Sequence, residues 1–92
     1  MPPESEDIDI QLAAAFLQID MGQLSLHIGF VAMERNEQID NLRHAIQYFT
    51  DALSELDQIA QPLRGSQEWN VWHEEARSGL HAATMQLAQI QK

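Results

Sequence analysis

The sequence contains no cysteine, so neither a disulfide framework nor a thiolate metal cluster can hold the chain together. Its stability must come from side-chain packing, and the absence of cysteine is compatible with a reducing cytoplasm. With 92 residues, the chain is long enough for one folded domain and too short for two. A hydrophobic content of 45% is ordinary for a folded globular protein and argues against global disorder.

Positive charge is scarce, because five Lys and Arg residues stand against 14 Asp and Glu residues, giving a formal net charge of -9. That balance disfavours direct binding to nucleic acid or to anionic lipid and favours a basic or neutral protein partner. The longest apolar run, "LAAAFL", is far shorter than the ~20 residues that span a bilayer. The N-terminus, "MPPESEDIDI", has neither the basic nor the apolar region of a secretory signal. We therefore expect a soluble cytoplasmic protein.

The motifs of common catalytic sites are also missing from the sequence. It has no GxSxG or SxxK serine motif, no Gly-rich phosphate loop, no HExxH zinc motif and no pair of inward-facing ExxH motifs. His27, His44 and His81 fall at similar heights in a helical bundle, but their heptad positions do not converge on one point. We expect no enzymatic activity, no cofactor and no metal site.

What the sequence does contain is three helical patterns, each with apolar residues alternating at spacings of three and four, the period of a heptad seam. The first pattern, named here the first stripe, comprises Ile10, Ala14, Leu17, Met21, Leu24, Ile28 and Val31. The second comprises Ile39, Leu42, Ile46, Phe49, Leu53, Leu56, Ala60 and Leu63. The third comprises Trp69, His73, Ala76, Leu80, Ala83, Leu87 and Ile90.

The segments between these patterns place the helix ends. "RNEQ" around Asn36 offers a stop and a new N-cap, Pro62 should end the second helix near Ala60, and Ser66 is a suitable N-cap for the third. We predict an acidic disordered leader over residues 1–7 and one helical-bundle domain over residues 8–92, with helices at about 8–34, 38–60 and 67–91. Long helices of similar length with short loops predict an all-α, antiparallel up-down-up three-helix bundle.

The first helix carries a further set of large apolar residues, named here the second stripe: Leu12, Phe16, Ile19, Leu26, Phe30 and Met33. It is offset by two residues from the first stripe, which places it about 200° away around a helix. Small residues follow beside it at seven-residue intervals, and we call Ala15, Gly22 and Gly29 the small-residue track. We predict that the first stripe closes the bundle. The second stripe then requires another partner, because an exposed apolar patch of this size is rare on a monomer.

We therefore predict a protein-protein interface in which the second stripe, Gly22, Gly29 and Trp72 contact another chain. A homodimer, parallel or antiparallel, is the leading interpretation, and docking of a different protein is the other one. Alternatively, "DMGQ" could act as a capping box and break the first helix between Asp20 and Gly22. Both stripes could then face inward in a monomeric four-helix bundle.

The function that follows is a non-enzymatic interaction module, a homodimeric helical adaptor, regulator or assembly subunit. The alternative is an acidic inhibitor that mimics nucleic acid and occupies the basic groove of a nucleic-acid-binding protein. In that case the carboxylates of the second helix, Asp51, Glu55 and Asp57, are candidates for contacting the groove.

Overall fold

The computed structural model describes the backbone of residues 3–59 and 67–91, and the side chains in these ranges except those of residues 3–9 and 68. The described residues form three α-helices and no strand: α1 (Pro3–Val31), α2 (Arg35–Asp57) and α3 (Gln67–Ile90). The predicted all-α class is confirmed. The predicted N-cap Ser66 and the predicted stop near Pro62 lie outside the described residues.

Helix α1 begins earlier than predicted, at Pro3, so residues 3–7 belong to the helix and are not the separate disordered leader that the sequence suggested. Proline is tolerated in a first helical turn because the amide it lacks would have no helical acceptor. The start of α1 at Pro3 is therefore compatible with the proline at this position.

Helix α1 runs without interruption through "DMGQ", so the alternative in which it breaks between Asp20 and Gly22 does not describe this fold. It ends at Val31, before the predicted residue 34, and its last turn is closed by a hydrogen bond from the Ala32 amide to the Ile28 carbonyl at 2.8 Å. The connection to α2 is consequently short. The Gln38 side chain fixes it by donating to the Ala32 carbonyl oxygen at 2.6 Å.

Helix α2 supplies the middle of the core, because its apolar face contacts both other helices. The predicted seams of α2 and α3 are buried or half-buried wherever the structure describes them, as their heptad spacing requires. The fully buried side chains are Ala15, Ile19, Leu42, Ala45, Phe49, Ala52, Leu56, Ile59, Ala76 and Ala83.

The closest packing occurs where large side chains of α2 meet glycines of the flanking helices. The Phe49 ring lies between Gly22 of α1 and Gly79 of α3. A Cβ atom would come within 2.9 Å of Phe49 Cε1 at Gly22 and still closer to Phe49 Cζ at Gly79. A Cβ at Gly29 would come within 2.8 Å of Leu42 Cδ2. These distances leave no room for a side chain, so the glycines are required for the helices to approach this closely.

Contacts between the helices are consistent with the up-down-up arrangement. Gly22 meets Phe49 whereas Gly29, further along α1, meets Leu42, which is earlier in α2. At one end of the bundle the Trp69 indole donates to the Leu56 carbonyl at 2.9 Å, and at the other the Arg35 guanidinium donates to the Ile90 carbonyl at 2.8 Å. The described residues form an elongated body with extents of 50 × 19 × 15 Å.

Candidate protein-protein interface

The face of α1 that turns away from the bundle carries the first stripe. Four of its residues recur every seven positions and are more than half exposed: Ile10 (66%), Leu17 (61%), Leu24 (56%) and Val31 (59%). Met21 is 39% exposed between them, and Ala14 and Ile28 are half-buried. From Ile10 to Val31 this row extends about 32 Å along the helix.

The inner face of α1 carries the small-residue track and part of the second stripe. Ala15, Gly22 and Gly29 are buried, Ile19 is only 2% exposed, and Leu12 and Leu26 are half-buried against the core. The prediction that the first stripe closes the bundle is therefore wrong. The physical reason is steric, because only the small-residue track leaves space for Phe49 and Leu42 of α2.

The residues predicted to form an intermolecular interface are consequently divided. Ile19, Gly22 and Gly29 lie inside the bundle, which corrects their assignment to a surface that meets another chain. Phe16 and Phe30 are each 49% exposed, and Met33 is 98% exposed after the end of α1. Trp72 is half-buried, and its ring centroid lies 5.4 Å from that of Phe16, so this pair bridges α1 and α3 within one chain.

The first stripe has polar borders. Asp20 and His27 are exposed along one border. Along the other, Gln18 is half-buried between α1 and α2 and donates to the Glu55 carboxylate at 3.4 Å, whereas the Gln18 Oε1 atom is buried without a hydrogen-bond partner. An apolar row between polar borders is the pattern of a helix-packing seam.

A second apolar feature is an open groove between α1 and α3. It has a volume of about 680 Å³, and its apolar lining comes from Leu26 on α1 and from Val71, Gly79 and Ala82 on α3. Its polar lining comprises Gln23, Gln67, Asn70, Glu74, Glu75 and Ser78. The groove exists because α1 and α3 each pack mainly against α2 and only slightly against each other.

The acidic residues proposed for nucleic-acid mimicry each have a neighbour within the chain. Asp51 accepts a hydrogen bond from Gln47 at 2.8 Å, Glu55 accepts the one from Gln18, and Asp57 lies 3.8 Å from His73 Nε2. Of the three, Asp57 is exposed, and Asp51 and Glu55 are half-buried. The arrangement of these carboxylates does not favour mimicry of nucleic acid over packing against an apolar partner.

The described residues contain no group of three or more His, Cys, Asp or Glu side chains arranged to hold a metal ion. His73 stacks on the Trp69 ring, with ring centroids 4.6 Å apart, next to Asp57. Among the described helices, none combines the length and hydropathy required to cross a membrane. No known protein-family model, no curated protein and no solved structure matches the chain.

Proposed function

We propose that this chain is a non-enzymatic helical protein of the cytoplasm that forms a homodimer through the first stripe of α1 and acts as an adaptor, regulator or assembly subunit. The observation that carries the proposal is the row of Ile10, Leu17, Leu24 and Val31, each more than half exposed at a strict seven-residue interval. A heptad row of this kind matches itself on a second copy, because two such helices interdigitate along their seams.

The free energy expected from burying the first stripe is sufficient for weak association and too small for an obligate dimer. Five side chains of the first stripe, each about half exposed, can gain roughly 1 kcal/mol each on burial. Two copies together then gain about 10 kcal/mol, which is comparable to the estimated cost of about 4–15 kcal/mol for bringing two molecules together. At the low end of that cost about 6 kcal/mol remains, so the dimer should dissociate at tens of micromolar or above.

The charges around the first stripe oppose self-association, so they cannot be its source of attraction. The sequence places no Lys or Arg before Arg35, so α1 offers no cation to an acidic partner. Because each chain has a net charge of -9, charge repulsion between two copies opposes association. The first stripe must supply the attraction, which makes the dimer sensitive to any charge placed within it.

The test is the solution mass measured by sedimentation equilibrium at protein concentrations from about 1 μM to about 1 mM, a range that brackets the expected dissociation constant. We expect the natural chain to shift from monomer to dimer over this range. The double substitution Leu17→Asp and Leu24→Asp should leave a folded monomer at every concentration, because both residues are exposed in the monomer and only the dimer buries them.

Met85→Asp is the matched control, since Met85 is 51% exposed on α3 and lies outside the first stripe. This variant should associate as the natural chain does. A natural chain that remains monomeric throughout would overturn the proposal. A double variant that retains a full helical circular-dichroism signal and still dimerises would show that another surface is responsible.

A further inference from the structure

The groove between α1 and α3 has the geometry of an unfilled helix position. In a four-helix bundle each helix packs against two neighbours, and the helix diagonally opposite contributes little contact. Here α1 and α3 both pack on α2 and barely contact each other. The open position beside them, diagonal to α2, is where a fourth helix would complete the bundle.

The groove has the size and lining that such a helix requires. Its residues on α3 extend from Gln67 to Ala82, a length of about 23 Å, or four helical turns. Its apolar wall is made by Leu26, Val71 and Ala82, and Gly79 also contributes to the lining. An amphipathic helix recognises a groove of this kind through apolar side chains at three- and four-residue spacing.

The charge of the groove selects among possible occupants. Its lining includes two carboxylates, Glu74 and Glu75, and no Lys, Arg or His. Glu74 is already paired with Arg77 at 3.0 Å, an exposed pair that contributes little energy and can rearrange. Glu75 is exposed at the rim of the groove. A second acidic copy of this chain would be repelled here, whereas a basic helix would be attracted.

We propose that the groove between α1 and α3 binds an amphipathic helix of another protein, one whose apolar face is bordered by Lys or Arg residues that meet Glu75. The groove lies on a different side of α1 from the first stripe: Gln23 and Leu26 line the groove, whereas Leu17 and Leu24 belong to the first stripe. A homodimer formed through the first stripe therefore leaves the groove open. With one surface for a second copy and a separate groove for another protein, the chain acts as an adaptor that joins the two.

The test uses two synthetic helical peptides of about 18 residues, which matches the length of the groove. Both have leucines at three- and four-residue spacing, one with lysines and the other with glutamates at the border positions, and a scrambled lysine peptide serves as the baseline. Binding is measured by isothermal titration, and the site is mapped from amide chemical-shift changes. We expect the lysine peptide to bind at least tenfold more tightly than the glutamate peptide, with shifts centred on Leu26, Val71 and Gly79.

Two substitutions at exposed positions test whether the groove is where the peptides bind. Glu75→Arg should reverse the preference, weakening the lysine peptide and strengthening the glutamate peptide, and Ser78→Trp should weaken both by filling the groove. Asp40→Arg is the control, because Asp40 is exposed on α2, which contributes no residue to the groove lining. It should leave the ratio between the two peptides unchanged.

The proposal is overturned if the lysine peptide binds no better than its scrambled version, or if Glu75→Arg changes its affinity no more than Asp40→Arg does. It is also overturned if Ser78→Trp abolishes dimerisation while Leu17→Asp with Leu24→Asp does not, because the groove would then be the contact between copies. The first two outcomes leave the homodimer proposal intact, so the two proposals fail separately.

Discussion

Helices α1 and α2 pack against each other, yet they distribute their apolar residues in different ways. Helix α2 buries one face through Leu42, Phe49 and Leu56, and its opposite face is polar, with Arg43 and Ser54 exposed. Helix α1 buries one face and exposes a second apolar face over most of its length. The apolar face of α2 is covered by other helices of the same chain. That of α1 is not fully covered, since six large apolar residues within this helix are more than two-fifths exposed, and this exposure is the basis of the partner that we propose.

The two faces of α1 also show that large hydrophobic residues do not by themselves choose the face that enters a core. The inner face contains Ala15, Gly22 and Gly29, and the exposed first stripe has larger side chains at most positions. Close packing against Phe49 and Leu42 requires space more than it requires additional apolar area. Three comparisons between inner and outer positions test this conclusion.

The largest effect is expected from emptying the centre of the core. Phe49→Ala should lower the free energy of unfolding by about 3–5 kcal/mol, because it removes a fully buried ring and leaves a cavity between Gly22 and Gly79. Phe30→Ala is the matched change at a half-exposed position and should cost less than half as much. Urea denaturation followed by circular dichroism measures both. Equal costs would contradict the placement of Phe49 at the centre.

An intermediate effect is expected from adding volume to the inner face of α1. Gly22→Val should destabilise the fold by about 2 kcal/mol, because the new side chain overlaps the Phe49 ring. Ala13→Val, at an exposed position of the same helix, should change stability by about 0.5 kcal/mol or less. Combining Gly22→Val with Phe49→Leu should recover part of the loss. The absence of any coupling between the two sites would contradict the contact.

The smallest effect is expected at the border between the two faces. Gln18 has a buried Oε1 atom without a hydrogen-bond partner, so Gln18→Met should raise the free energy of unfolding by about 0.5–1 kcal/mol even though it removes the bond to Glu55. Glu55→Gln retains an acceptor for Gln18 and should be close to neutral. A thermal-melting comparison separates the two variants. A marked loss of stability in Gln18→Met would show that its bond to Glu55 outweighs the unpaired oxygen.

Much of the fold could be predicted from spacing alone. The seams of α2 and α3 lie on the buried side, as their heptads predicted, and the α3 boundaries agree closely with the prediction. The orientation of α1 could not be predicted in the same way, because its two stripes have the same period and similar apolar content. The small-residue track was the informative signal. Its spacing predicts a contact between chains, whereas Gly22 and Gly29 face α2 of the same chain.

The candidate site was predicted in part for the same reason. The sequence pointed to α1 as the helix with an unpartnered apolar face, and the structure exposes such a face, but it consists of the first stripe. Phe16, Phe30 and Met33 of the second stripe remain exposed, whereas Ile19 does not. The groove between α1 and α3 was not predicted, because its lining combines residues that are far apart in the sequence and mostly small or polar.

The sequence by itself determined that this chain is helical, that its helices follow heptad periods and that α1 carries more apolar surface than one neighbour can cover, since these properties depend on local spacing and composition. Only the tertiary structure decided which face of α1 is buried and where the open groove lies. Those properties depend on the fit of Phe49 and Leu42 against glycines of other helices. No local sequence pattern predicts the steric fit between segments that are distant in the sequence.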